Sequence, residues 1–277
     1  MRKKILITGG AGFIGFNLVK SLGKNNYITI IDDLSRGKID DELKEIIKKF
    51  KIKFVKHNLK NKIKIKNNFD YVFHLAATVG VKNVIKNPTF TFENNILTLF
   101  NLISFCKKNI KTKFIFFSTS EVYSPLIEKK FKNIFPLKES SDLFVKNKSI
   151  PRDSYYLSKL FSEKFLEISG LKYIIYRPHN IYGPRMGRSH VIPELIEKII
   201  KNKKKEKVII YSPKHKRVFC YIDDCIYQIL STCFKKNNLK NIINLGSLQK
   251  EIKIFELAKL INRFSSKKKK LISGPIT

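Results

Sequence analysis

Tryptophan is absent from this 277-residue chain, glycine is sparse at 12 residues, and only eight of the 56 basic side chains are arginine. The arginine shortage matters because the formal net charge is +34, which read alone points to a polyanionic partner. Proteins that read nucleic acid lean on arginine for bidentate contacts, and lysine supplies only a point charge. Lysine, asparagine, isoleucine and phenylalanine all have codons built from A and T alone, so base composition accounts for the charge. No nucleic-acid partner is expected, although the surplus favours small anionic ligands such as nucleotides.

Cysteine is rare too. Cys106, Cys220, Cys225 and Cys233 form no CxxC pair and no Cys/His metal spacing, and the five histidines are scattered. Neither a metal site nor a disulfide framework is expected, and reduced thiols fit a cytoplasmic protein. No apolar run is long enough to span a bilayer. The basic start Arg2-Lys-Lys before an apolar stretch faintly mimics a signal peptide, but Thr8, Gly9 and Gly10 interrupt it, and a first β-strand fits better. No membrane association is expected.

What is present is an alternation of apolar strand-like runs with helix-like runs, the pattern of βαβ units around a parallel sheet. Strands are predicted at Lys4–Thr8, Tyr27–Asp32, Lys53–Lys56, Tyr71–His74, Lys113–Ser118 and Tyr173–Arg177. Helices are predicted at Gly12–Leu22, Asp41–Phe50, Thr91–Lys107 and Ser154–Ile168, the last capped by Asp153 or Ser154. After Arg177, prolines and glycines break the rhythm. The expected fold is α/β, a Rossmann-type doubly wound parallel sheet over residues 1–177 with a smaller C-terminal substrate lobe over 178–277. Lys267–Lys270 reads as a solvated charge run or a frayed tail.

The stretch Thr8-Gly-Gly-Ala-Gly-Phe-Ile-Gly15 follows the first strand and opens a helix. In that context bare glycines let the backbone approach a pyrophosphate, and the helix start offers free N–H groups. Asp32 ends the next strand, where a carboxylate accepts both ribose hydroxyls and repels a 2′-phosphate, favouring NAD over NADP. Arg36 nearby works against that preference, and Asp33 can equally cap the following loop. Ala76 and Ala77, after His74-Leu75, are small enough to let a dinucleotide lie close.

Tyr155 and Lys159 stand four apart on one helix face, a face Tyr156 does not share. A phenol becomes a base at neutral pH only with positive charge nearby, which Lys159 and a nicotinamide supply. Thr119 follows an apolar strand at its carboxyl end, the ligand-binding edge of open α/β sheets, and can bond the same substrate hydroxyl. Glu121 can move a carbon-bound proton beside a transient ketone or steer a substrate carboxylate. Read alone, this run is an ordinary hydroxyl-capped turn with a solvated acid.

Together the blocks TGGAGFIG (8–15), IDDLSRG (31–37), HLAA (74–77), STSEVY (118–123), YYLSK (155–159), RPHNIYGPRMGRSHVIPELI (177–196) and RVFCYIDD (217–224) resemble the extended short-chain dehydrogenase/reductase family, in particular its NAD-dependent nucleotide-sugar epimerases and dehydratases. The resemblance implies a resident NAD that oxidises the sugar at C4 and usually takes the hydride back. It implies cofactor contacts from Gly9, Gly12, Phe13, Ile14, Gly15, Asp32, Asp33, Asn58, Leu75, Ala76, Ala77 and Lys159. Thr119, Glu121, Tyr155 and Lys159 would be catalytic. Ser120, Asn180 and Arg217 would hold the nucleotide sugar, and Asn95 would stand behind the site. The helices near 91–107 and 154–168 would form a homodimer interface.

Thr-Ser-Glu at 119–121 looks more like UDP-glucuronate decarboxylases and GDP-mannose-type dehydratases than simple 4-epimerases. Asn58 replaces a usual acid, and Ser124 a usual glycine. Family members generally continue past the position of Thr277 with an arginine-bearing segment, so a fragment or altered substrate handling is expected. A non-catalytic NAD-binding protein is the alternative of another class.

Overall fold

The computed structural model describes residues 2–66, 68–129, 135–202, 206–235 and 241–276. In chain order these begin with β1 (Lys4–Thr8), α1 (Phe13–Leu22), β2 (Tyr27–Asp32), α2 (Asp41–Phe50), β3 (Lys53–Lys56), β4 (Tyr71–His74), α3 (Val81–Lys86), α4 (Pro88–Cys106) and β5 (Lys113–Phe117). A 3₁₀ turn at Ser120–Tyr123 leads into α5 (Ser124–Glu128), then α6 (Asp153–Glu167), β6 (Lys172–Pro178), β7 (Ile181–Tyr182) and α7 (Val191–Ile196), which runs on as a π-helical stretch, Glu197–Lys201. There follow β8 (Lys207–Ile210), β9 (Lys216–Arg217), β10 (Cys220–Tyr221), α8 (Ile222–Cys233), β11 (Ile242–Leu245), β12 (Ile252–Lys253), α9 (Ile254–Arg263) and β13 (Lys270–Ser273).

The first structural unit runs to Pro178 and takes up Ile226–Leu245 again. Its sheet has seven parallel strands in the order β11-β6-β5-β4-β1-β2-β3. The strand order reverses between β1 and β4, so the loops leaving β1, β4 and β5 share one carboxyl edge. Thr8 pairs with both Ile31 and His74, and His74 with Phe116, which sets the three loops side by side. The strands are apolar nearly throughout because both faces are covered. Leu6, Val72, Phe114, Phe116 and Ile175 pack in one core cluster with Leu99, Leu102, Ile103 and Leu166. Burying each such side chain contributes about 1.5–3 kcal/mol. Helix α2 shows the local rules plainly: Asp40 accepts the Leu43 N–H at 3.1 Å, acids fill the first turn, lysines the last, and Lys51 ends it in the left-handed conformation.

The second unit comprises His179–Cys225 and the chain from Gly246 onward. It holds three two-stranded pairs, β7 with β10, β8 with β13, and β9 with β12. Its core is built from Leu195, Ile199, Val208, Ile210, Ile254, Ala258 and Ile261.

Several expectations need correction. A contiguous lobe over 178–277 is interrupted, because Ile226–Leu245 belongs with the parallel sheet and β11 extends it beyond β6. The lysine run at 267–270 is not a frayed tail. Lys268 Nζ bonds the carbonyls of Asn262 and Arg263 at the end of α9, Lys269 Nζ bonds the Asn202 carbonyl, and Lys270 starts a strand paired with β8. Asp153 does not cap α6 from its N-cap position. It lies in the first turn and accepts from the Ile150 N–H and from Lys146.

Candidate active site

The glycine turn is shaped by what its residues lack. Gly9 has φ +72°, and a Cβ there would meet the Ala76 backbone nitrogen at 2.7 Å. A Cβ on Gly15 would lie 2.2 Å from the Gly9 carbonyl oxygen, so α1 packs directly on the turn that precedes it. On Gly12 it would meet only that same oxygen, at 3.2 Å. No side chain caps α1, and its first turn carries no acid, which suits the helix start to an anionic ligand. Phe13 and Ile14, the first two residues of α1, are half-buried.

Asp32 ends β2 beside this turn. One carboxylate oxygen accepts the Ala11 N–H at 3.0 Å and the other the Leu34 N–H at 2.9 Å. Burial raises its proton affinity, and the two amide bonds oppose that rise. Asp33 turns to its own loop and accepts the Ser35 N–H. Asn58 does the same with the Lys60 N–H. Leu75 is bonded through its N–H to Thr8, and Leu75, Ala76 and Ala77 are half-buried where β4 ends. His74 below them is buried, its Nδ1 2.8 Å from Thr8 Oγ1, and burial depresses its pKa to about 3.

Four side chains converge at the neighbouring strand end. The Thr119 hydroxyl accepts the Glu121 N–H, the turn that orients Glu121, and lies close enough to Tyr155 to ease its proton loss. Desolvation and the nearby Glu121 carboxylate raise the Tyr155 pKa above the ordinary phenol value, opposed by Thr119 and the Arg36 guanidinium. Glu121 is itself raised by burial, with Arg152 opposing. Lys159 is buried. Its Nζ bonds the Phe117 carbonyl at 2.8 Å and sits 4.7 Å from the Phe116 ring centre, and burial lowers its pKa to about 7. A positive charge that the sequence does not suggest, that of Arg36, also acts on Tyr155. Ser120 is half-buried in the same turn.

Behind the site, Asn95 of α4 locks the tyrosine helix in register. It accepts the Thr78 N–H at 2.7 Å and donates to Ser158 Oγ at 3.0 Å, and Ser158 donates to the Tyr155 carbonyl. Sequence reasoning missed Ser158 and Ser118. Ser118 Oγ is buried at the strand end with no hydrogen-bond partner, a hydroxyl position no sequence pattern marks. It also missed a buried cluster in which Arg177 of β6 grips Glu163 of α6 through both oxygens, at 2.6 and 3.1 Å.

Asn180 and Arg217 belong to the second unit. Asn180 takes a left-handed conformation, φ +46°, and its amide donates to the Val218 carbonyl at 3.0 Å. Arg217 is exposed and donates to the Lys216 carbonyl. The structure therefore brings together the glycine turn, Asp32, Leu75–Ala77, Thr119, Glu121, Tyr155 and Lys159 in one unit. Asn180 and Arg217 lie in the other.

Residues 5–246 match the NAD dependent epimerase/dehydratase family. The chain is 36% identical over 278 residues to the dTDP-D-glucose 4,6-dehydratase of Dictyostelium discoideum, covering 95% of this chain but 62% of that relative. It is 33% identical over 285 residues to the UDP-N-acetyl-alpha-D-glucosaminuronate decarboxylase of Bacillus cytotoxicus, covering 99% of this chain and 84% of that one. Among solved structures it resembles the UDP-N-acetylglucosamine 4-epimerase from Methanobrevibacter ruminantium, with a TM-score of 0.80 and 30% identity over 98% of this chain and 86% of that one. Among the described residues no helix is long and apolar enough to cross a membrane, and no group of His, Cys, Asp and Glu is arranged to hold a metal ion. On this evidence the chain belongs to the NAD dependent epimerase/dehydratase family.

Proposed function

We propose that this protein is an NAD-dependent nucleotide-sugar epimerase/dehydratase acting on a UDP-sugar. The observation that carries the reading is the placement of Tyr155 beside Thr119 and the half-buried Glu121, at the same sheet edge as the glycine turn. The residues fit the cofactor. Gly9 and Gly15 are positions that a Cβ would fill against backbone, and Asp32 stands at the strand end where a ribose binds.

When bound, NAD supplies hydride acceptance at sugar C4, through a transient 4-keto sugar. Tyr155 Oη takes the proton of the C4 hydroxyl, with Thr119 Oγ1 orienting that hydroxyl. Without ligand the phenol holds its proton tightly. The positive charge of Arg36, and of Lys159 at the ribose, makes proton loss possible once a substrate displaces water. Glu121, with its raised proton affinity, moves the proton on the carbon next to the ketone or steers a substrate carboxylate. Asn180 and Arg217 bind the nucleotide diphosphate.

The finer reading is a homodimer working in the cytoplasm, making precursors of cell-surface polysaccharide. All four cysteines are buried and none is in a disulfide, which fits a reducing compartment. For the dimer, α4 and α6 leave Phe90, Leu97, Phe100 and Phe161 exposed on neighbouring helices, an apolar face that a second copy covers.

The test is incubation with UDP-glucose, UDP-glucuronate and their N-acetyl relatives, followed by NMR. Epimer or 4-keto product supports the proposal, and released carbon dioxide redirects it to a UDP-glucuronate decarboxylase-like enzyme. Folded, NAD-bound protein that turns over none of them overturns it in favour of a non-catalytic NAD-binding protein.

A further inference from the structure

Lys159 presents a physical problem. Its side chain is buried, with the residue 3% exposed, and its Nζ has one carbonyl, that of Phe117, and the face of Phe116 for company. Among the described residues no carboxylate lies within ion-pair distance of it. A cation that is desolvated and unpaired gives up its proton. Its neighbours offer little relief. His74 on β4 is buried and neutral, and Tyr155 on its own helix keeps its proton. The anion closest by helical spacing is Glu163, one turn further along α6 and fully buried.

Glu163 is one half of a buried ion pair. The Arg177 guanidinium donates through Nε at 3.1 Å and Nη2 at 2.6 Å to the two carboxylate oxygens, a charge-assisted fork that fixes the carboxylate in place. Arg177 is in turn fixed from the other side by the Tyr123 hydroxyl at 2.5 Å and the Glu139 carbonyl. Tyr123 donates to Asn244 Oδ1 at 2.9 Å, and Asn244 is itself fixed, its N–H donating to Glu139 Oε1 and its side-chain amide to the Leu137 carbonyl.

We propose that Glu163 is a positioning residue: gripped by Arg177 one helical turn from Lys159, its carboxylate holds the buried Lys159 ammonium in charged form where the reaction needs it. This rests on the reading of Lys159 as part of the nucleotide-sugar site, and it deepens that reading. Arg177 contributes by holding Glu163, and Tyr123 and Asn244 by holding Arg177. The pull of Glu163 raises the proton affinity of Lys159 against the larger effect of burial.

The test measures the pH midpoint of Lys159 directly. NAD-free protein is exposed to brief pulses of acetic anhydride across a pH series, and Lys159 labelling is read by mass spectrometry against an exposed lysine. Replacing Glu163 alone strands the arginine, so the main variant is Glu163→Gln/Arg177→Met, with Glu163→Asp as the conservative control. Loss of the anion should lower the Lys159 midpoint by about one unit or more, and Glu163→Asp should restore most of it. The pH profile of kcat/KM should lose its alkaline side by the same shift.

An unmoved midpoint in a folded double variant overturns the proposal and leaves the Glu163–Arg177 pair as scaffolding. If that variant does not fold, Glu163→Gln/Arg177→Gln, which keeps polar partners at both positions, carries the test, and an unmoved midpoint in it overturns the proposal as well. The labelling needs no turnover. A shifted midpoint with no sugar nucleotide converted would sink the enzymatic reading and spare the electrostatic one.

Discussion

Lys159 Nζ donates to the main-chain carbonyl of Phe117 at 2.8 Å, tying the helix that carries Tyr155 to the strand that delivers Thr119. The two halves of the candidate site are therefore registered by one buried hydrogen bond, reinforced behind by the chain Thr78–Asn95–Ser158–Tyr155. Movement of α6 against β5 would break it.

That registration makes Tyr155 testable with little structural disturbance, since its hydroxyl is its only polar atom beyond the backbone. Tyr155→Phe should lower kcat by about 10²–10⁴-fold while NAD affinity and melting temperature stay near wild type. Steady-state kinetics with calorimetric NAD titration checks both halves of the statement.

The glycines separate folding from binding. Gly15→Ala forces a Cβ against the Gly9 carbonyl, which is backbone and cannot rotate away, so it should destabilise the protein by about 1–3 kcal/mol. Gly12→Ala meets a single atom at 3.2 Å and should fold almost normally, yet weaken NAD binding. Urea denaturation alongside NAD titration distinguishes them, and equal melting of the two variants would contradict the packing argument.

Asp32 accepts two backbone N–H groups, and the proposed cofactor site puts its carboxylate at the ribose. Asp32→Asn keeps the shape and removes the negative charge, so a 2′-phosphate is no longer repelled, with Arg36 close by to receive it. The ratio of NADP to NAD affinity should rise about tenfold or more, equivalent to about 1.4 kcal/mol. Binding isotherms for both dinucleotides measure it.

His74 predicts an acid sensitivity. In the unfolded chain its imidazole takes a proton near pH 6.5, and in the folded protein only near pH 3. Between those values the unfolded state binds more protons, so stability should fall as the pH drops from 6.5 toward 3, by an amount on the order of several kcal/mol. Above pH 6.5 this contribution is constant. In His74→Asn the slope across that window should flatten, as followed by chemical denaturation at stepped pH.

The aromatic face of α4 and α6 bears on assembly. Phe161 is 50% exposed and packs edge-on against Phe92, with ring centres 6.0 Å apart. Phe161→Glu should shift the protein from dimer to monomer in light scattering without lowering its helicity. A wild type that is already monomeric at micromolar concentration would remove the dimer from the proposed function.

Much of the cofactor half was legible in the sequence because its physics is local. A strand, a glycine turn and a helix start are contiguous, and Asp32 closes the next strand. Tyr155 and Lys159 were legible because helical spacing fixes their common face. Strand β11 was not, since Ile242–Leu245 is four residues with an asparagine inside, and its place beside β6 is settled only by the folded sheet. A lysine that bonds carbonyls looks in sequence like a lysine in water, so Lys269, buried against the Asn202 carbonyl, was misread. The contribution of Arg36 at Tyr155 was not legible for a similar reason: it reaches the phenol from a loop more than a hundred residues away, which no spacing rule encodes.

The return of Ile226–Leu245 to the parallel sheet has a consequence for anyone who would cut or shuffle this gene. The unit built on the parallel sheet is not a contiguous stretch of codons. A polypeptide ending at Pro178 would present the unpaired edge of β6 to solvent and strip Tyr123 of Asn244, inviting edge-to-edge aggregation. Recombination that exchanges the second unit must therefore carry two separate inserts, His179–Cys225 and the stretch after Leu245, and splice both around a strand that stays behind.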